Sequence, residues 1–77
     1  MFYIYFLYRG DKNITYIGYT DNLERRLKEY KNKKPELIYY EAYRDKRDAL
    51  DRERKLKQRG QSVRRLKDRL KYSIGKT

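Results

Sequence analysis

Residues 2–8 read Phe-Tyr-Ile-Tyr-Phe-Leu-Tyr, an unbroken run of aromatic and aliphatic side chains. No other feature limits the fold as much. The run is far too short to cross a bilayer, which takes about 20 residues of helix, and no basic segment precedes it as in an export signal. Aromatic and β-branched residues suit a pleated strand, so the run reads as a buried strand. Tyr3 and Tyr5 face one side of it, and Phe2 and Ile4 the other. Arg9-Gly10-Asp11-Lys12-Asn13 is turn chemistry. Residues 14–19 form a second strand, so the first two pair as an antiparallel hairpin.

Helical signals follow. Asp21 with Glu24 three residues later has the form of a capping box, opening a helix to about Tyr30. Lys31 to Pro35 is a short polar connection, and Glu36 to Tyr43 reads as a third strand. Asp45 or a neighbour opens a second helix that runs to about Arg59 and is ended by Gly60. Ser62 caps a third helix, with Val63, Leu66, Leu70 and Ile74 on one stripe. There is no repeat and no low-complexity linker. The layout is ββαβαα, an α+β fold in which a small sheet is covered by helices. At 77 residues there is room for one domain, spanning 1–77.

Composition narrows the chemistry. The chain has no cysteine and no histidine, which excludes a disulfide framework and thiolate or imidazole zinc sites. It also removes the side chains that ordinarily titrate near neutral pH, leaving Tyr, Lys, Asp and Glu for any acid–base work. Lys and Arg number 22 against 11 acids, a net charge of +11. Residues 44–77 carry +9 of this and residues 1–43 only +2. A one-sided basic field is the footprint of a polyanion binder, and nucleic acid fits it better than a membrane surface. The expectation is a soluble, cytoplasmic protein.

Helical phase puts polar groups on inner faces. At about 100° per residue, Leu23, Leu27 and Tyr30 share a stripe, with Arg26 at its edge and Arg25 pointing away. Arg26 and Tyr30 are four apart and therefore neighbours. In the second helix Ala49, Leu50 and Leu56 mark the inner face. Glu53 falls between them with Lys57 one turn on, while Asp51, Arg54 and Lys55 point out. A carboxylate in an apolar stripe is costly unless it is paired or binds a cation. It is either a structural ion pair with Arg26 or Lys57, or part of a cleft where arginine, tyrosine and glutamate converge. Phase leaves both open. In the second strand Tyr16 and Gly18 share a face, and a glycine there lets another group approach the backbone closely.

Taken together, Tyr3-Ile4-Tyr5, Tyr16-Ile17-Gly18, Tyr19-Thr20-Asp21-Asn22-Leu23-Glu24-Arg25-Arg26-Leu27, Leu37-Ile38-Tyr39-Tyr40-Glu41 and Ala49-Leu50-Asp51-Arg52-Glu53-Arg54-Lys55-Leu56-Lys57 resemble the GIY-YIG nuclease superfamily. Most similar are small standalone bacterial members related to the nuclease domain of the bacterial excision-repair nuclease. Gly60 and the stretch Arg64 to Leu70 resemble the tail of those proteins. The resemblance implies a three-stranded antiparallel sheet flanked by helices. It implies an endonuclease that hydrolyses phosphodiester bonds with one divalent ion, Mg²⁺ or Mn²⁺. DNA, duplex or branched, is the expected partner, with RNA the other option.

Residue by residue, Tyr5 and Tyr16 match the tyrosines of the two half-motifs, and Gly18 matches the glycine of the second. Arg26 matches the helix arginine, Glu53 the metal ligand, and Tyr30 a position that holds histidine in many members. Tyr5 is the expected base, its pKa drawn down by cationic neighbours, with Tyr30 as relay or alternative base and Tyr16 orienting the water. Lys57 and the basic third helix, through Arg64, Arg65, Lys67 and Arg69, are the expected nucleic-acid contacts. Such contacts position a backbone without reading sequence, so selection by DNA structure is expected. Three features depart from the family pattern: Tyr3 stands for a glycine, the loop after the first helix is cut to residues 31–35, and no asparagine follows at the end. A catalytically silent nucleic-acid-binding module on the same fold is the alternative.

Overall fold

The computed structural model of the protein describes residues 1–58 and 60–74. Strand β1 spans Phe2–Arg9, β2 Ile14–Thr20 and β3 Glu36–Tyr43. Helix α1 spans Leu23–Glu29 and is followed by a 3₁₀ turn at Lys31–Lys33. Helices α2, α3 and α4 span Lys46–Gln58, Gly60–Arg69 and Lys71–Ile74. The three strands form one antiparallel sheet in the order β2-β1-β3, so the apolar N-terminal run is the central strand. That position explains its composition. Ile4, Tyr5, Phe6 and Leu7 are all buried, which requires cover on both faces.

The two faces have different cover. Ile4 and Phe6 pack with Ala49 and Leu56 of α2 and Leu66 of α3 in the main core. On the opposite face Tyr3, Tyr5 and Leu7 share a side with Tyr16 of β2, because Leu7 pairs with Tyr16 and Tyr5 with Gly18. Helix α1 lies on this side, where Leu23 and Leu27 line a hollow with Tyr3 and Tyr40. The β1–β3 register shifts between Phe6 and Leu7, whose partners are Tyr39 and Leu37. Ile38 is the extra residue of this bulge and joins the core.

The hairpin turn closes at Asn13, whose φ of 52° is left-handed, a region that asparagine tolerates better than most residues. Tyr8 donates its hydroxyl proton to Asn13 Oδ1 at 3.1 Å. Helix α1 begins differently from the capping-box expectation. Its N-cap is Asn22, whose Oδ1 accepts from the Arg25 N–H at 3.0 Å, and Asp21 pairs with the Arg25 guanidinium instead. The buried Thr20 hydroxyl bonds both the N–H and the carbonyl of Asn22, holding that residue in the capping place. Asp45 does open α2, accepting from the Arg47 N–H at 2.8 Å.

Three further expectations are corrected. Leu50 does not face the core: it is 40% exposed, while Ala49 beside it is fully buried. The third helix is not continuous to Ile74 but breaks after Arg69, and α4 carries the stripe on. Ser62 does not cap the third helix, which begins two residues earlier at Gly60, and Arg59 as the end of the second helix lies outside what the structure describes. Among the described residues no helix is long and apolar enough to cross a membrane.

Candidate active site

The site grows from the pairing of Tyr5 with Gly18. The Tyr5 ring lies across the glycine: a Cβ there would fall on the hydroxyl oxygen and within 2.6 Å of Cζ. Only glycine leaves room for this ring. Tyr16, two residues earlier on β2, projects from the same face. Tyr30 closes the group from the C-cap of α1. Its ring centroid is 5.2 Å from that of Tyr16 and 6.0 Å from that of Tyr5, the latter edge-on at 64°. These are favourable aromatic geometries. The Tyr5 and Tyr30 hydroxyl oxygens are 3.3 Å apart.

Arg26 stands one turn before Tyr30 on α1. One terminal nitrogen donates to Glu29 Oε2 at 2.9 Å, and its Nε is buried with no hydrogen-bond partner among the described residues. An unmet buried donor of this kind costs about 1–3 kcal/mol, while the side chain as a whole is 34% exposed and so open to an anionic oxygen. Glu53 comes from α2 and is largely sheltered, its side chain 23% exposed. Of the two ion pairs open to it, Glu53 makes the one with Lys57, with Oε2 3.2 Å from Nζ. Lys57 is well exposed, and such a surface pair is weak.

Tyr5 reports that the parts share one space. Its pKa is raised, first by burial and then by the hydrogen bond and charge of Tyr30. Arg26 works to lower it and Glu53 to raise it further, so both charges lie within electrostatic reach of the phenol. The protein's own cations therefore do not pull Tyr5 below its ordinary value, contrary to expectation. Arg26 acts in that sense but is outweighed by burial and Tyr30.

Glu53 is the one carboxylate of the group positioned to hold a cation. Among the described residues no cluster of three or more His, Cys, Asp or Glu could do so. One hard oxygen ligand still suits Mg²⁺, which keeps several waters and takes one or two carboxylates with substrate phosphate.

The structure therefore brings Tyr5, Tyr16, Gly18, Tyr30, Arg26 and Glu53 together from β1, β2, α1 and α2, with Lys57 at the rim. It does not bring Arg64, Arg65, Lys67 or Arg69 there. They sit on α3, which packs through Leu66 on the Ile4 face, and they divide around its apolar stripe. Arg64 and Lys67 line a hollow with Tyr8 and Asn13 of the hairpin, while Arg65 and Arg69 line a cleft with Arg52.

Sequence reasoning missed the joint between β3 and α2. Glu41 accepts from Tyr39 at 2.7 Å, from Tyr43 at 2.5 Å, and from Arg52 through Nε at 2.9 and 3.2 Å and a terminal nitrogen at 3.1 Å. Strand alternation held a signal, since Tyr39, Glu41 and Tyr43 must share one face.

A family model described as the GIY-YIG catalytic domain matches residues 1–68. No curated protein and no solved structure matches the chain.

Proposed function

The chain belongs to the GIY-YIG family of nuclease catalytic domains, and from that premise we propose that it is a metal-dependent endonuclease that hydrolyses phosphodiester bonds in DNA and selects by DNA structure rather than sequence. The observation that carries this reading is Arg26, a partly exposed guanidinium within electrostatic reach of the tyrosine group. A phosphoryl oxygen is the acceptor that suits it, because the guanidinium fork matches phosphate and stays charged at any working pH. Arg26 would hold the scissile phosphate and offset the charge that develops on it in the transition state.

Glu53 would hold Mg²⁺ or Mn²⁺ through a carboxylate oxygen. The bound ion supplies Lewis acidity toward the phosphate and its leaving oxygen. Tyr16 and Tyr5 would orient the attacking water. The proton released by the water would be taken by Tyr5 in its phenolate form, which the charge of a bound divalent ion would favour, with Tyr30, its hydroxyl 3.3 Å away, as relay or alternative base. The net charge of +11 supports a polyanionic substrate.

The Glu53–Lys57 pair favours a second reading, a module that binds nucleic acid without cutting it. Incubating the protein with nicked, flapped, branched and duplex DNA in Mg²⁺, Mn²⁺ or EDTA separates the two. We expect cation-dependent cleavage that falls by about two orders of magnitude or more in Glu53→Gln, with DNA affinity and unfolding midpoint little changed. Normal binding with no cleavage of any substrate supports the silent module. Normal cleavage by a destabilised Glu53→Gln variant would return Glu53 to a structural ion pair.

A further inference from the structure

We propose that the cleft of Arg52, Arg65 and Arg69 holds the phosphate backbone of a second arm of a branched or flapped DNA, on the far side of α2 from the scissile phosphate. The inference rests on the nuclease reading above and states which DNA shapes that activity favours.

Ion pairing across the molecule first singles out the cleft. On α1, Arg25 pairs with Asp21 and Arg26 with Glu29. At the start and along α2, Arg47, Arg54, Lys55 and Lys57 each have an acidic partner. Helix α3 breaks the pattern: among the described residues none of its bases takes part in an ion pair. Arg65 and Arg69 are four apart on one flank, where like charges repel and work against the helix. Stability gains nothing from that arrangement, whereas an anion lying between them does.

Arg52 gives the cleft a fixed wall. Glu41, 15% exposed, holds it through Nε and one terminal nitrogen, so the other terminal nitrogen has no part in that bond. Arg69 is close enough to Tyr39 to act on its hydroxyl electrostatically, which places the flank of α3 over the same end of β3. With Leu66 as its floor, the cleft presents three guanidiniums against the one half-buried carboxylate of Glu41. Guanidiniums so arranged fit phosphodiester oxygens.

The position of the cleft determines what can occupy it. Glu41 pairs with Ile4 in register and Tyr5 with Gly18, so the cleft lies on the Ile4 face toward β3, and the tyrosine group lies on the Tyr5 face toward β2. Arg52 and Glu53 leave α2 about 100° apart. A DNA duplex is stiff over about 150 base pairs and does not fold round a single helix to reach both places. A branch point lets one arm lie on each side.

The test uses a fluorescent three-way DNA junction and a linear duplex of equal length and composition, titrated with the full chain in EDTA so that neither is cut. The unaltered protein should prefer the junction. In Arg65→Glu/Arg69→Glu the junction Kd should rise at least about tenfold more than the duplex Kd, and the salt slope on the junction should shrink by about 2, near 0.9 for each phosphate no longer neutralised. Both residues are exposed, so the fold is not at stake, and an unchanged unfolding midpoint verifies it. An unaffected junction Kd, or equal loss on both DNAs, overturns the cleft assignment. If the unaltered protein shows a junction preference that depends on these arginines yet cuts nothing in Mg²⁺ or Mn²⁺, the nuclease reading falls and the cleft stands. If it cuts DNA without that preference, the cleft falls and the nuclease reading stands.

Discussion

Gly18 and Tyr5 face each other across two strands, and the ring of one occupies the space a side chain of the other would need. Gly18→Ala forces the phenol away from Tyr30. Overpacking of this kind costs about 1–3 kcal/mol, so the protein should remain folded with a lowered unfolding midpoint while cleavage falls far more than stability. Denaturant unfolding and cleavage measured on one preparation check this, and full activity in Gly18→Ala would show that the ring position is not critical. Tyr5 itself should ionise above an ordinary tyrosine in the free protein, because burial and Tyr30 disfavour the phenolate. The absorbance difference between the protein and Tyr5→Phe during alkaline titration isolates this group. Glu53→Gln removes a charge that opposes the phenolate, so Tyr5 should titrate lower; Arg26→Ala removes one that favours it, so Tyr5 should titrate higher. A Tyr5 transition at or below the usual value would contradict the site geometry.

At the scale of elements, what the sequence revealed was what depends on neighbours along the chain. The alternation of Tyr3 and Tyr5 against Ile4, and the limits of β3, follow from the two-residue strand period, and the structure agrees with both. Adjacent residues with equal claims were harder. Asp21 and Asn22 are both good caps, and the choice falls to Asn22 because the Thr20 hydroxyl grips its backbone. Ala49 and Leu50 are both apolar, and the smaller one faces the sheet where α2 packs against it. An exposed leucine is common on protein surfaces. In the site, Arg26 and Tyr30 were legible as a pair one turn apart. The closure of four elements around Tyr5 was not, because it depends on how α1 and α2 dock. Arg52 was missed because its partner Glu41 is eleven residues away on another element, an interaction that no period encodes.

For the whole molecule, that joint between sheet and helix sets a pH window. Burial alone would raise the Glu41 pKa, but hydrogen bonds from Arg52, Tyr43 and Tyr39 together lower it. A carboxylate depressed in the folded state adds stability above its unfolded value, near 4.5, and that stability is lost as pH falls through the folded value. At the alkaline end, burial and then Glu41 push Tyr43 up to about 12, and Tyr39 is raised for the same reasons. Their stabilisation is complete below the ordinary phenol value of 10.0 and disappears as pH climbs toward the folded value. Unfolding midpoints measured across pH should therefore decline at both ends. Glu41→Gln should be less stable at neutral pH by about 1–3 kcal/mol and show a flatter acid limb. An acid limb as steep as that of the unaltered protein would assign acid unfolding to other carboxylates.

Arg52 and Glu53 are consecutive, yet one clamps β3 on the Ile4 face of the sheet and the other serves the tyrosine group that β1 and β2 present on the opposite face. Helix α2 thus works as an indexed shaft whose angular setting is fixed by the distance from Asp45, where it starts. Inserting or deleting a single residue in its first two turns rotates everything downstream by about 100°, releasing Arg52 from Glu41 and carrying Glu53 out of reach of Tyr5 in the same stroke. Descendants of this chain can therefore change α2 by exchanging side chains, whereas a change in the length of those turns removes cohesion and chemistry together.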